Sequence, residues 1–121
     1  MDNKKFNLII DGVLKRTEEG KLEWKTTADN LTYLVGLKDS SISIKLSDYY
    51  DPNSEKSFDY YTIEFRNDTG HIVESVTIGK LDENEKISEE FKKAERIFNL
   101  ARNQSLKIDK TLDRILEQLA M

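Results

Sequence analysis

The stretch YYTIEFRNDTGHIVESVTI, from Tyr60 to Ile78, decides the fold class. Tyr61, Ile63 and Phe65 alternate with Thr62, Glu64 and Arg66. That period of two marks a strand with one buried face. Asn67-Asp68-Thr69-Gly70 supplies turn formers, and a second apolar run begins at Ile72. The pair reads as a β-hairpin. Its second half breaks alternation, because Ile72, Val73, Val76 and Ile78 cannot all face inward while Glu74 faces out. A β-bulge near Glu74-Ser75 restores the register.

Upstream, the stretch from Asp48 to Asp59 contains the only proline, Pro52, and reads as a long irregular loop. Before it, Ile42, Ile44 and Leu46 alternate with polar residues from Ser41 to Ser47, as a half-exposed strand does. Leu31 to Leu37 is another strand, with Tyr33, Val35 and Leu37 on one face and Leu34 on the other. Lys21 to Thr26 is a shorter one, and Trp24, the single tryptophan, packs between helix and sheet.

Helical spacing takes over at both ends. Phe6, Ile9, Ile10, Val13 and Thr17 recur at three- and four-residue steps, with Leu14 beside them. Asp2 or Asn3 is placed to cap that helix, and Gly20 to end it in the left-handed conformation. Gly12, inside the helix, suggests close packing against the sheet. After an exit from Gly79 to Asn84, the positions Ile87, Phe91, Ala94, Phe98 and Ala101 form a stripe that Ile97 and Leu100 widen. Glu85, Glu89 and Glu90 suit its positive end. Lys107-Ile108 reads as a joint, with Asp109 capping a last helix that carries Leu112, Ile115, Leu116 and Leu119. The expected fold is one α+β domain over residues 1–121. It has an N-terminal helix, an antiparallel sheet of about five strands in meander order, and two C-terminal helices packed on one face.

Composition narrows the chemistry. The absence of cysteine excludes disulfides, thiol catalysis and thiolate metal sites, and fits a cytoplasmic protein. No apolar run has the roughly 18 residues of a membrane span, and Phe6 to Ile10 is too short for a signal-peptide core. Residues 29–80 carry nine acidic and five basic groups, so the sheet holds the net charge of −4. Nucleic-acid binders need the opposite sign. Neither nucleic acid nor a membrane is therefore expected as a partner.

The passage from Lys15 to Trp24 contains Thr17-x-x-Gly20-Lys21-Leu22-x-Trp24. With the turn from Asn67 to Gly70 and the pair Ala101-Arg102, it resembles small uncharacterised bacterial proteins. These have an N-terminal helix, a Thr-x-x-Gly-Lys-Leu-x-Trp passage, strands and a closing helix. The resemblance implies a bacterial or mobile-element origin and carries over no activity, ligand or catalytic residue.

Catalytic patterns are thin. His71 is the only histidine and follows Gly70 at a turn, where a solvated role suffices. Asp48, Asp51, Asn53 and Glu55 suggest calcium ligands. Counted from Asp51, however, the sixth and twelfth positions are Lys56 and Thr62, where an EF-hand needs Gly and Glu. Glu64 and Glu74 are placed to oppose each other across the hairpin and would need enclosure to act as acid and base. The five glycines are scattered singly, so no phosphate loop can be drawn. Lys92, Lys93, Arg96 and Arg102 interleave with Glu89, Glu90 and Glu95 as a salt-bridged helix face does. No catalytic residue, metal ligand or cofactor site is assigned.

The aromatic distribution is the main surplus. Tyr49, Tyr50, Phe58, Tyr60 and Tyr61 cluster on one segment, and alternation forbids that all face inward. Tyrosine suits interfaces, giving large area with a polar tip. Strand-edge packing is the competing explanation. The expectation is a non-enzymatic interaction protein of immunity, inhibitor or accessory type. It would bind a protein partner with a basic surface through Tyr49, Tyr50, Phe58 and Tyr60. The C-terminal helices offer a route to a homo-oligomer. The alternative is a small-ligand binder, with a pocket for a nucleotide-like molecule between sheet and helices gripped by Tyr and Trp rings. An acid–base enzyme using Glu64 or Glu74 comes third.

Overall fold

The computed structural model describes residues 1–81 and 86–120. The elements run α1 (Asn3–Glu18), β1 (Trp24–Thr26), β2 (Thr32–Gly36), β3 (Ser41–Asp51), β4 (Lys56–Arg66), β5 (Ile72–Gly79), α2 (Glu89–Leu106) and α3 (Ile108–Leu119). The five strands pair antiparallel in the order β1-β2-β3-β4-β5. The fold is the expected α+β meander with helices on one side. Glu85 and the expected exit at 82–84 lie outside the described residues.

Local chemistry sets the helix ends. Asp2 caps α1, its carboxylate accepting the Lys4 N–H at 2.8 Å. Gly20, at φ +71°, follows the last turn, and the Gly20 and Lys21 N–H groups donate to the Thr17 and Arg16 carbonyls. Ser88 caps α2, accepting from the Phe91 N–H at 3.1 Å. Ile87 therefore precedes the helix rather than belonging to its stripe. It pairs with Leu81 and is exposed. At the joint, Lys107 takes a left-handed conformation and offers no side-chain cap to α3. Asp109 does not cap α3 either. It lies in the first turn, where its carboxylate accepts from the Asn103 side-chain amide at 2.8 Å.

The core lies between the sheet and α1 and α2. Ala94 and Ala101 are fully buried, and Phe91 and Phe98 flank them on the same face of α2. Their rings meet strand tyrosines: Phe98 lies 5.3 Å from Tyr33, and Phe91 5.1 Å from Tyr61, centroid to centroid. Trp24 is buried, and its indole N–H donates to Thr17 Oγ1 at 3.0 Å. The Thr17 hydroxyl in turn donates to the Val13 carbonyl at 2.7 Å. The end of α1 is thus tied to the first strand.

Part of one sheet edge is covered by a side chain. The Gln104 carboxamide accepts from the Trp24 N–H at 3.3 Å and donates to the Leu22 carbonyl at 3.0 Å. These are the kind of backbone groups that a further strand would use.

Three further expectations need correction. The stretch from Asp48 to Asp59 is not an irregular loop. β3 and β4 pair continuously from Ser41↔Arg66 to Asp51↔Lys56, leaving a connection of residues 52–55. Alternation there is masked by tyrosines and aspartates that find no helix to cover them. β5 does carry the expected bulge, at Val73 beside Glu74, because Phe65 pairs with Glu74 and Arg66 with Ile72, but Glu74 does not face out. Ile72 and Val73 are exposed, and Glu74 shares the helix side of β5 with Val76 and Ile78. Gly12 does not pack closely: it is exposed, and a Cβ built there meets nothing within 4 Å.

Two stability outcomes follow. Gly12→Ala should stabilise the fold by about 1 kcal/mol, through helix propensity and loss of unfolded-state freedom. Gln104→Ala, which leaves the Trp24 N–H and Leu22 carbonyl without these partners, should cost about 1–2 kcal/mol. Urea unfolding of each variant measures both. No gain in the first, or no loss in the second, contradicts the geometry described.

Candidate interaction surface

The long β3–β4 hairpin carries the candidate site. The β2–β3 ladder ends at Thr32↔Lys45, with one further bond from the Leu46 N–H to the Leu31 carbonyl, and β5 pairs with β4 only from Tyr60 onward. Among the described residues the hairpin continues beyond those points as a two-stranded arm. Asp51 starts the arm's turn, its carboxylate accepting from the Asn53 N–H at 3.0 Å and the Ser54 hydroxyl at 2.9 Å. Glu55, at φ +55°, completes the reversal in the left-handed region.

Register sorts the aromatic side chains. Ile42, Ile44, Tyr61 and Ile63 face the helices, so Tyr49, Phe58 and Tyr60 lie on the opposite, open side. There they touch: Tyr49 and Phe58 centroids are 5.6 Å apart, and Tyr49 and Tyr60 6.1 Å. Tyr49 is 54% exposed, whereas Phe58 and Tyr60 are half-buried against it and the strands. Tyr50 points to the other side, beyond the helices, and is 61% exposed. The four residues expected to meet a partner therefore divide into a cluster of three and one ring on the reverse.

The arm is acidic. Residues 47–60 hold Asp48, Asp51, Glu55 and Asp59 against Lys56. Asp48 and Asp59 are directly opposed across the ladder, an arrangement of like charges that costs stability. Nearer the body, the open side is polar and self-satisfied. Arg66 donates to the Ser43 hydroxyl at 2.9 Å and pairs with Glu64 at 3.3 Å.

The other candidate residues separate. Glu64 and Glu74 do not oppose each other: Glu64 pairs with Ser75, and Glu74 with Phe65 on the other face. The Met1 amine, 3.3 Å from Glu74, and the Ser75 N–H hold that carboxyl below its usual range. His71 is exposed in the turn, its Nδ1 2.7 Å from the Thr69 hydroxyl. Among the described residues no three acidic or histidine side chains could hold a metal ion. No helix among them is long and apolar enough to cross a membrane. Lys93 and Arg96 pair with Asp11 and Glu18 of α1, at 2.8 and 3.5 Å. The tryptophan, offered as a ligand-gripping ring, is a core residue, as are Tyr33 and Tyr61. A cleft of about 330 Å³ lies at the β5 margin, lined mainly by polar residues including Asn3, Asn7, Thr77 and Ser88.

Sequence reading found the four aromatic residues but missed that Tyr49, Phe58 and Tyr60 share a face while Tyr50 does not. The signal was present in Lys45-x-Ser47-x-Tyr49 and Phe58-x-Tyr60-x-Thr62, alternations on either side of an Asp-Pro-Asn-Ser turn.

Tyr61, next to the cluster but turned inward, reports on the junction of arm and body. Burial, reinforced by the Glu95 and Asp59 carboxylates, pushes its phenol up to about 12. The unfolded chain loses this proton near pH 10. Between those values the native state retains a proton that the unfolded state has released, so stability falls as pH rises through the window. Tyr61→Phe should lose this alkaline penalty. Its stability relative to the parent, from urea titrations at about pH 9 and about pH 11.5, should improve at the higher pH. A constant difference contradicts the assignment. Compared with known proteins, the chain matches no family model, no curated protein and no solved structure.

Proposed function

We propose that the protein is a non-enzymatic interaction module that binds a basic surface of a protein partner through the aromatic, acidic β3–β4 arm. The carrying observation is the cluster of Tyr49, Phe58 and Tyr60 on the open side of the sheet, where none of the described helices covers it. Aromatic side chains grouped this way are the usual anchors of an interface, because they bury much area with little loss of side-chain freedom. The excess of carboxylates around them sets the sign of the partner and speeds its approach. A role as an inhibitor, immunity or accessory protein that covers a basic site fits this design.

The exposed stripe of Leu112, Ile115, Leu116 and Leu119 on α3 gives self-association a separate surface, away from the arm.

The test has two stages. The protein captures partners from a lysate of its own host, and each candidate is purified and titrated by calorimetry. Tyr49→Ala and Tyr60→Ala should each weaken binding by about tenfold or more, equivalent to about 1.4 kcal/mol. Raised salt should slow association. Leu8→Gln, on the exposed face of α1, should bind as the parent does. Equal affinity of the parent and both arm variants for every captured partner overturns the proposal.

A further inference from the structure

α3 is amphipathic, yet none of its residues is buried. Leu112, Ile115, Leu116 and Leu119 are 53, 44, 65 and 76% exposed along one face. Among the described elements α3 approaches only α2. Positions 82–85 are too far away to cover that face. In sequence they lie between Leu81 and Ile87, which pair beside the start of α2, and the 18 residues of that helix span about 27 Å. Met121, a single residue, is too small to cover it.

The spacing points to a helix as the occupant. The stripe of α2 steps by three and four residues from Phe91 to Ser105, and Ile108, Leu112, Ile115 and Leu119 continue those steps without a break. Such a seven-residue repeat keeps a narrow seam turned toward a neighbouring helix. Lys107, in the left-handed region, breaks the chain between the two halves. The first half meets the sheet, and the second keeps its seam in water.

Symmetry and charge choose a second copy. The seam has steps of four, three and four in either direction. An antiparallel copy therefore sets Ile108 level with Leu119 and Leu112 level with Ile115. That is the self-complementarity a two-fold interface requires. α3 holds Lys110 and Arg114 against Asp109, Asp113 and Glu117. It lacks the excess of cations that an anionic lipid surface attracts, and it is too balanced to repel its own copy strongly. The antiparallel order also sets apart two chains that each carry a net charge of −4. The four exposed side chains leave roughly 450 Å² in water per copy, a large patch for a monomer. Two such patches, with the half-buried Ile108, bury about 1,000 Å², the lower bound of a specific interface.

We infer that α3 is a dimerisation helix, pairing antiparallel with α3 of a second copy along the seam from Ile108 to Leu119. This specifies how copies associate and does not rest on the arm as the partner surface. The pair presents two arms, so a partner with repeated basic sites would be held at both.

The full chain, 14.1 kDa, is sedimented at concentrations from about 1 μM to about 1 mM. Its weight-average mass should climb from one chain toward two. Leu112→Lys and Ile115→Glu should each raise the dissociation constant by about tenfold or more. An equimolar mixture of these two variants should recover association. In the antiparallel order the introduced ammonium of one lies level with the introduced carboxylate of the other. Loss through misfolding would not be restored by mixing. Tyr49→Ala should dimerise as the parent does.

A parent that stays a single chain throughout overturns the inference. A monomer that instead sediments with phosphatidylserine vesicles assigns the stripe to a lipid surface and overturns it as well. Dimerisation unchanged in both single variants places the contact elsewhere. Weakened variants that do not recover on mixing defeat the antiparallel pairing. None of these outcomes bears on the arm, whose fate rests on the partner titrations with Tyr49→Ala and Tyr60→Ala.

Discussion

The close approach of α2 to the sheet is the constraint on which the rest depends. Ala94 and Ala101, seven residues apart, are fully buried and let the helix backbone come near the strands. Phe91 and Phe98 then reach past them to Tyr61 and Tyr33. Bulkier residues at the alanines would lift the helix and separate those rings, as overpacking does in any dense core. The same approach brings Gln104, near the end of α2, within reach of the first strand. Trp24 closes the circuit through Thr17 to α1. Helix, sheet and sheet edge are therefore set by one spacing.

This explains why body and arm differ. Where α2 covers the strands, alternation is translated into burial, as at Tyr33, Val35, Ile42, Ile44 and Ile63. Past Leu46 the hairpin has outrun the helices, and its outward-facing rings find only each other. The arm is held by its ladder and turn rather than by core contacts. Its aromatic area is consequently available for another molecule.

Legibility in the sequence followed the same boundary. The strand carrying Tyr61, Ile63 and Phe65, the stripe from Phe91 to Ala101 and the cap at Asp2 were readable because a buried face or an end group imposes a pattern. The arm was not, because alternation between tyrosine and aspartate has no apolar side. Gly12 misled for a related reason: a glycine in a helix suggests contact, yet here it faces open space. Gln104 could not be foreseen, since its two bonds join groups about eighty positions apart in the chain. The four aromatic residues of the surface were legible as a group. Their arrangement depended on a register that only the paired strands supply.

The Gln104 carboxamide has a consequence for assembly. A sheet with two free margins is a bifunctional monomer: each copy can join a neighbour on either side, and growth has no natural end. Here, at the Trp24 N–H and the Leu22 carbonyl, one margin is met by the protein's own side chain. A strand added at that point would first have to displace this amide. Edge-to-edge growth is thereby opposed at that margin.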